Sequence, residues 1–569
     1  MTNFQFAKLL IVTLLTESYL CMSHGQKIFL ESIKKEKYLV YTPKSETLKI
    51  VKSMFYFGYE NYMNFAHPFD ELDPIHCKGR GHDYDNRDNI NINDALGDYQ
   101  LTLVDTLDTL VIINDIPEFK RAVKIIIDSL HFNQNTTVQV FEATIRIIGS
   151  LLSAHLLIID ETKLFGDLKP TGYTNELLML ARDLASRLLS AFEQTNTGIP
   201  HPRVNLLTGI PLNSVNETCL AGATTLLLEF GVLSRLIQDP VFENVADRTI
   251  NTLWRLKSNV TGLPGNVINI HTGKWISEMS GLGAGQDSFY EYLLKSYVVF
   301  GNLKYNKLFN EAMGSVRYYM RKGRQKCSGN NGLPPFFVNV QMKNGDIDNH
   351  WIDSLQAALP GILTLNGDLD EAICVHAYYY AIWKKFRVLP ERFNWYHKRP
   401  DVNFYPLRPE FAESTYFLYM ATKNPFYLHV GEEIVSNLNI YTKVKCGYAT
   451  VHDVLNMSLE DRMESFFLSE TCKYLYLLFD ENNMINKNVE DYIFTTQGHI
   501  LSIKQLRKLN PPELFDNVQS LSNNPTAQSI LTFFQMPSNN STCEFLGYNS
   551  QYRMPLSESA LDQIFSLVG

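Results

Sequence analysis

The sequence predicts an all-α fold, an (α/α)7 barrel of alternating inner and outer helices, on three observations. Of the 569 residues, 45% are hydrophobic and 12% aromatic, enough apolar material for a large core. From about Ser45 to Asp480 the apolar residues recur mostly at spacings of three and four, the helical period, and strictly alternating runs are few. Successive helical segments also alternate in character. Phe141 to Leu157 and Thr224 to Leu236 are apolar around the whole circumference, whereas Asn175 to Glu193 and Lys304 to Arg321 carry a charged face. A helix apolar all round belongs inside, and an amphipathic one covers it. Length alone, at about 150 residues per domain, suggests three or four units, but a barrel keeps one core over a long chain. An irregular helical array or a solenoid with a period of roughly 60 residues competes with the barrel, and no repeated signature supports the solenoid.

In chain order, residues 1–23 come first. They carry an early positive charge at Lys8, the apolar stretch Leu9 to Leu15 and a polar segment ending at Ser23, the pattern of a secretory signal cut near Ser23. The apolar run is much shorter than the roughly 20 residues of a membrane span. No later segment reads as a span, so a mature chain soluble in a secretory compartment is expected. About fourteen candidate helices follow, beginning near Thr47, Asp94, Glu118, Val138, Asn175, Glu217, Val241, Gly283, Lys304, Trp351, Leu369, Pro409, Pro425 and Leu459. They fill one domain over 45–502. After Ser502 the composition turns to Asn, Ser, Pro and Gln, so 503–569 is expected to be a loosely structured tail, with one short amphipathic docking helix over 556–568.

Sequons at Asn135, Asn216, Asn259, Asn456, Asn539 and Asn540 fit the secretory route. Of the eight cysteines, a cut signal would remove Cys21 and leave an odd number, hence at least one unpaired thiol. There is no Cys-x-x-Cys pair and no zinc-spaced His cluster. The formal charge of -9, with no long basic run, argues against a nucleic-acid partner.

Acidic residues stand near the starts of several apolar helices: Glu142, Asp287, and Glu410 with Glu413. If the inner helices run parallel, these carboxylates meet at one mouth. Taken singly, each is more often a cap favoured by the helix dipole than a catalyst, and Glu142 also reads as the partner of Arg146 one turn on. Taken together, paired carboxylates in a cleft suit glycoside hydrolysis, one protonating the leaving oxygen and one activating water. Phe466 and Phe467 are candidates to stack on a sugar face, although as isolated aromatics they read more strongly as core residues. Two weaker patterns fail. Gly281, Gly283 and Gly285 lack the strand and spacing of a phosphate loop, and Asp346 to Trp351 lacks the central glycine and closing Glu of an EF-hand.

Longer motifs carry a resemblance. Asp94-Ala-Leu-Gly97, Asp105-Thr-Leu-Asp-Thr-Leu110, Phe141-Glu-Ala-Thr-Ile-Arg146, Gly285-Gln-Asp-Ser-Phe-Tyr-Glu-Tyr292, Tyr405-Pro-Leu-Arg-Pro-Glu410, Ser465-Phe-Phe-Leu-Ser-Glu-Thr471 and Phe494-Thr-Thr-Gln-Gly-His499 resemble those of glycoside hydrolase family 47, the class I α-1,2-mannosidases. Val204 to Gly209 and Lys445 to Ala449 look like its ER degradation-enhancing α-mannosidase-like branch. The resemblance runs from about Lys52 to Ser502 and implies the same (α/α)7 barrel.

It also implies roles. Glu142 would be the general acid, Glu410 the candidate base and Asp287 the third essential carboxylate. Arg146, Arg408, Glu413, Phe466 and Glu470 would line the mannose subsite, and Thr496 would hold a Ca²⁺ through its carbonyl and hydroxyl oxygens. Hydrolysis would invert configuration. The branch trims mannose from misfolded N-glycosylated proteins in the endoplasmic reticulum lumen and commits them to the ER-associated degradation (ERAD) machinery. A bridge between Cys77 and Cys446 and a thioredoxin-type oxidoreductase as an associate are implied as well. Two residues depart from the family pattern: Gln497 stands where Glu commonly follows the calcium threonine, and Gly222 where processing mannosidases carry Glu. Gln497 favours the alternative of a catalytically weak, lectin-like receptor; intact Glu142, Asp287 and Glu410 favour the enzyme. The chain ends Ser-Leu-Val-Gly569, not in a retrieval signal of the Lys-Asp-Glu-Leu type, so retention would need a partner.

Overall fold

The computed structural model describes residues 44–86, 89–212, 214–327, 332–509, 511 and 555–569. Among them seven inner helical segments alternate with seven outer helices. The inner ring comprises 101–112, 140–158, 220–237, Asp287–Phe300, 354–366, Glu410–Thr422 and 467–479. The outer ring comprises Lys44–Asn61, Ile116–Ser129, Glu176–Leu188, Val241–Arg255, Leu303–Tyr319, Leu369–Phe386 and Phe426–Tyr441. The first six inner segments each pack on the outer helix that follows, and Lys44–Asn61 packs on Cys472–Phe479 to close the ring. This is the (α/α)7 barrel.

Local chemistry sets these elements. In Ile116–Ser129 the Asp115 side chain accepts the Glu118 amide at 3.2 Å, Pro117 occupies the first turn, and Phe119, Ala122, Val123 and Ile126 form the buried stripe. The inner helices have no such stripe. Val140–Ile158 and Leu220–Ile237 are long and apolar enough to cross a membrane, contrary to the reading that no segment is, yet 89% and 83% of those windows is buried inside the protein. Their lining is the barrel core.

Short antiparallel strand pairs sit at the N-terminal ends of the inner helices. Thr137–Gln139 runs directly into Val140, Glu217–Cys219 into Leu220, and Trp351–Asp353 into Ser354. The strands therefore gather on one end of the barrel, and the inner helices run parallel away from it. They also correct two predicted starts. The helix expected near Asp94 begins at Leu101, after a single turn at Ile90–Asn93, and the one expected near Leu459 begins at Phe467, because Ser458–Glu460 is a strand. Strands of two to four residues are too short for alternation to register against a helical background.

A hairpin after the seventh inner segment, Tyr492–Phe494 with Ile500–Ser502, enters the barrel. Its tip is buried: Thr495 and His499 are 0% exposed. Lys473 Nζ donates to Gly498 O and to Asp108 Oδ1, each at 2.7 Å, and His499 lies within 3.4 Å of both Asp105 and Asp108. Gly498 has φ +70 and a Cβ there would meet Glu470 Cγ at 3.1 Å, so the tip needs glycine.

Disulfides join Cys77 to Cys446 and Cys327 to Cys374; Cys219 and Cys472 are free thiols among the described residues. The Cys77–Cys446 pair is the implied bridge. Cys21, Cys543, Asn539, Asn540 and the expected signal over 1–23 lie outside the described residues. So do 512–554, most of the expected loose tail. Helix Glu558–Val568 packs Ala560, Leu561, Ile564 and Val568 against Leu369–Phe386, and Lys385 caps its last turn through Val568 O at 2.8 Å.

Candidate active site

The strand end of the barrel presents helix N-termini, and the predicted carboxylates stand on them. Glu142 is in the first turn of the second inner helix, Asp287 opens the fourth and Glu410 opens the sixth. Side-chain contacts link them around one pit. Arg146 Nε donates to Glu142 Oε2 at 2.7 Å and its Nη1 to Ser465 Oγ at 3.1 Å. The Arg146 guanidinium lies 5.4 Å from the Phe466 ring centre, and that of Arg408 lies 5.8 Å from the same ring. Arg408 Nη1 is 4.0 Å from Glu410 Oε1. The charge of Asp287 acts on Glu410 and on Cys219, and that of Glu142 on Cys219. Glu142 is 21% exposed and Glu410 14%: the pit is open to water, though narrowly.

Behind this rim the acids continue inward. Glu413 accepts from the Tyr474 hydroxyl at 3.3 Å. Glu470 is 4% exposed and feels the charges of Glu413, Glu410 and Asp105. Thr496 stands at the hairpin tip, partly exposed, its amide 3.4 Å from the Tyr292 hydroxyl, which donates to Glu229 at 2.6 Å. The second and seventh inner segments are π-helical over Ala143–Ile148 and Phe467–Thr471. Those stretches carry Arg146 and Glu470, and π turns recur at functional sites because they re-aim side chains.

Burial sets the electrostatics. It pushes Asp287 up to about 7, with the neighbouring charges of Glu291 and Asp353 adding and Arg408 opposing. It pushes Glu410 up to about 7 against the opposing Arg408, and Glu413 up to about 8 against Lys295. Glu470 is raised well above its ordinary value by burial, then by Glu413 and Glu410. Asp105 and Asp108 go the other way: burial works to raise both, and His499, Arg146 and Lys473 outweigh it, holding them below the usual range.

The predicted rim residues stand at this end of the barrel, and of the two phenylalanines one follows its stronger reading, as core. Phe467 is 0% exposed and packs on Tyr448 at 4.8 Å; it is core, and Phe466 alone faces the guanidinium pair. Sequence reasoning missed Asp105, Glu391 and Asp353. Asp105 carried a signal, an acid inside an apolar helix, where burial demands partners. Glu391, which grips Arg408 with bonds of 2.9 and 2.5 Å, sits ahead of a short strand and carried none. Gly222 explains itself locally: its amide donates to Cys219 Sγ at 3.3 Å, and a Cβ there would stand 3.0 Å from that sulfur.

Comparison with known proteins agrees with this geometry. The profile of glycosyl hydrolase family 47 matches residues 54–503. ER degradation-enhancing alpha-mannosidase-like protein 1 of Schizosaccharomyces pombe is 47% identical over 459 residues, 81% of this chain and 56% of its own length. Alpha-mannosidase I MNS5 of Arabidopsis thaliana is 39% identical over 554 residues, 95% of this chain and 92% of its own. Human ER degradation-enhancing alpha-mannosidase-like protein 3 is 42% identical over 466 residues, and this chain spans 48% of that protein. The solved α-1,2-mannosidase of Trichoderma reesei superimposes with a TM-score of 0.69 at 23% identity, over 81% of this chain and all of that one, sharing the fold.

Proposed function

The chain belongs to glycosyl hydrolase family 47, and from that premise we propose that it is a calcium-dependent, inverting α-1,2-mannosidase of the endoplasmic reticulum lumen. Its substrates are Asn-linked high-mannose glycans on misfolded glycoproteins, which trimming commits to ER-associated degradation. The observation that carries the reading is the circle of Glu142, Asp287 and Glu410 around the Arg146–Phe466–Arg408 stack, at a water-accessible mouth. The names of the relatives support the compartment and the client class.

The chemistry follows from the side chains. Glu142, with Oε2 bound to Arg146, offers its other oxygen to the leaving glycosidic oxygen and gives it a proton as the C1–O bond breaks. Glu410 Oε2 has no hydrogen-bond partner; it takes the proton of the water that attacks C1 from the opposite face, through a transition state with oxocarbenium character. Inversion requires these carboxyls about 6.5 to 9.5 Å apart to admit that water. Asp287 keeps the water oriented, and Arg408, locked by Glu391, supports the ionised form of Glu410.

The residues fit a calcium ion. Glu410, Glu413 and Glu470 crowd together with too few cations, and Glu229 Oε2 is buried without a partner. A hard, oxygen-seeking cation answers such a surplus. Among the described residues no three His, Cys, Asp or Glu side chains form a ready ligand cluster. Thr496 would hold the ion through its own oxygens, with waters bridging to the carboxylates. Bound there, the ion would supply a positive charge for sugar hydroxyls. Gln497 is consistent with the second reading, a lectin-like receptor, because it withholds a charge from that site.

One experiment separates the two. The purified chain, alone and with a thioredoxin-type oxidoreductase, is incubated with a Man9-type glycan on a denatured carrier. Free mannose that disappears in Glu142→Gln supports the hydrolase. Glycan-dependent binding without mannose release supports the receptor, and neither outcome leaves both readings without support.

A further inference from the structure

The outer helices are not alike. Ile116–Ser129 and Val241–Arg255 bury one stripe each, whereas ten consecutive residues of Leu369–Phe386, Cys374 to Trp383, are buried. A helix buried all round needs cover on its outward side. Glu558–Val568 supplies it: Ala560, Leu561, Ile564 and Val568 are buried there, and the Phe565 ring is 6.2 Å from that of Tyr380. This covering helix lies beyond residues 54–503, the span shared with the family.

Its last turn does more than cover. Lys385 Nζ donates to Val568 O at 2.8 Å and to Lys398 O at 3.0 Å, and Lys398 Nζ donates to Ser566 O at 2.7 Å. Two cations thus meet carbonyls at the negative end of the helix dipole. Lys398 stands in the turn that joins strand Arg392–Asn394 to strand Arg399–Val402, so the covering helix is tied to that hairpin. Behind the edge strand a cavity of about 500 Å³ opens, lined by Lys385, Phe386, Lys398, Pro400 and Leu455. The edge strand therefore lacks close packing on that side. Besides the lysines, the turn is tied by the Trp395 amide, which donates to His350 O at 2.9 Å. At its base the same hairpin carries residues that set the pit. Glu391 precedes the first strand and grips Arg408, which lies 4.0 Å from Glu410; Arg392 donates to Asp353 at 2.8 Å, and Asp353 acts on Asp287.

We propose that Lys385 and Lys398 are positioning residues for the reaction: with the helix they cap, they hold the 392–402 hairpin where Glu391 sets Arg408 beside Glu410; this rests on the glycosidase reading. Neither lysine touches substrate. Both act through Glu391, about 10 Å from Asn394 at about 3.3 Å per strand residue. The apolar stripe is enough to cover Leu369–Phe386, so a helix serving stability alone has no need of the lysine ties. Losing those ties frees the turn end of the hairpin. A carboxylate that holds a guanidinium by paired bonds depends on exact placement, and a misplacement of about 1 Å is enough to slow catalysis.

The test uses the full-length chain as Lys398→Met, Lys398→Arg and Ile564→Asp, assayed on the disaccharide Manα1,2Man well below the melting transition. Glu391→Gln, which keeps an acceptor for Arg408, is made alone and with Lys398→Met. Lys398→Met is expected to lower kcat about two- to threefold. Ile564→Asp sets a charge at a position 1% exposed and should lower kcat about fivefold or more. Lys398→Arg, which keeps the donor, should stay near wild type. In the Glu391→Gln background Lys398→Met should add nothing, because residues acting through one contact are not additive. Hydrogen exchange should quicken over 391–402 in Lys398→Met and Ile564→Asp and stay unchanged over Glu176–Leu188. Unchanged kcat in Lys398→Met, losses that multiply in the double variant, or faster exchange confined to 558–568 overturns the proposal. If Ile564→Asp does not fold, Lys398→Met decides alone. Wild-type failure to release mannose sinks the glycosidase reading instead. Exchange then decides, and undisturbed protection over 391–402 in Lys398→Met overturns the positioning role.

Discussion

The Gln497 side-chain amide donates to the Asp105 carboxylate at 3.3 Å, joining the hairpin tip to the first inner helix in a buried setting. Asp105 also accepts from Ser465 at 2.7 Å and Ser469 at 2.8 Å, and His499 and Arg146 keep it ionised against burial. An acid at 497 would set a second negative charge against the first. Gln497→Glu is therefore expected to lower stability by about 1 to 3 kcal/mol in calcium-free buffer, and added Ca²⁺ to restore part of it. Thermal denaturation with and without the ion reads both; an unchanged melting point in EDTA would show that the contact carries no weight.

Asp287 and Glu410, both pushed up to about 7, give stability and activity opposite pH dependences. Unfolded carboxyls titrate near pH 4, so between about 4 and 7 the folded chain binds protons that the unfolded chain releases. In calcium-free protein, stability contributed by their protonation is present at low pH and is lost as pH rises through about 7. The proposed role of Glu410 as base requires it ionised, so kcat/KM should instead fall as pH drops below about 7. Melting in EDTA across this range should flatten in Asp287→Asn; a slope identical to wild type would refute the assignment.

Calcium binding should couple to the same protons. Deprotonated Glu413 and Glu470 favour a cation, so the rise in melting temperature on adding Ca²⁺ should be larger near pH 8 than near pH 6. Thr496→Val removes one oxygen donor and is expected to weaken Ca²⁺ affinity about tenfold or more, as read by titration calorimetry with the metal alone. Equal affinity in the variant would move the ion elsewhere.

The Cys77–Cys446 bridge closes a separation of 369 residues, against 47 for Cys327–Cys374. Loop-closure entropy then makes the first the stronger staple. Replacing both Cys77 and Cys446 with Ser should cost about 2 to 5 kcal/mol, and the Cys327/Cys374 pair about 2 kcal/mol less. Equilibrium urea unfolding of the two double variants ranks them; the reverse order would contradict the entropic account.

The fourteen helices were legible because inner helices such as 140–158 are apolar throughout while outer ones such as Ile116–Ser129 keep one stripe. That contrast survives in a single sequence. The starts at Leu101 and Phe467 were not legible, since a single helical turn at Ile90–Asn93 and a strand of three residues at Ser458–Glu460 stand ahead of them, too short to register as separate elements. Glu142, Asp287 and Glu410 were legible as acids at helix starts, though their convergence needed parallel inner helices. Glu391 was hidden because it acts through Arg408, 17 residues away. The π turns were hidden too: Phe141 to Arg146 reads as ordinary helix until the backbone is seen.

The hairpin tip at Thr495 to His499 stoppers the barrel from below, held by Asp105 and Asp108 of the first inner segment and Lys473 of the seventh. On the proposed reading, a glycan would approach Glu142 and Glu410 from one direction, outermost residue leading, with no exit through the floor. Such a dead end would impose exo-action: bonds in the interior of a branch would stay beyond reach, and each turnover would shorten the chain by a single unit before the product backed out.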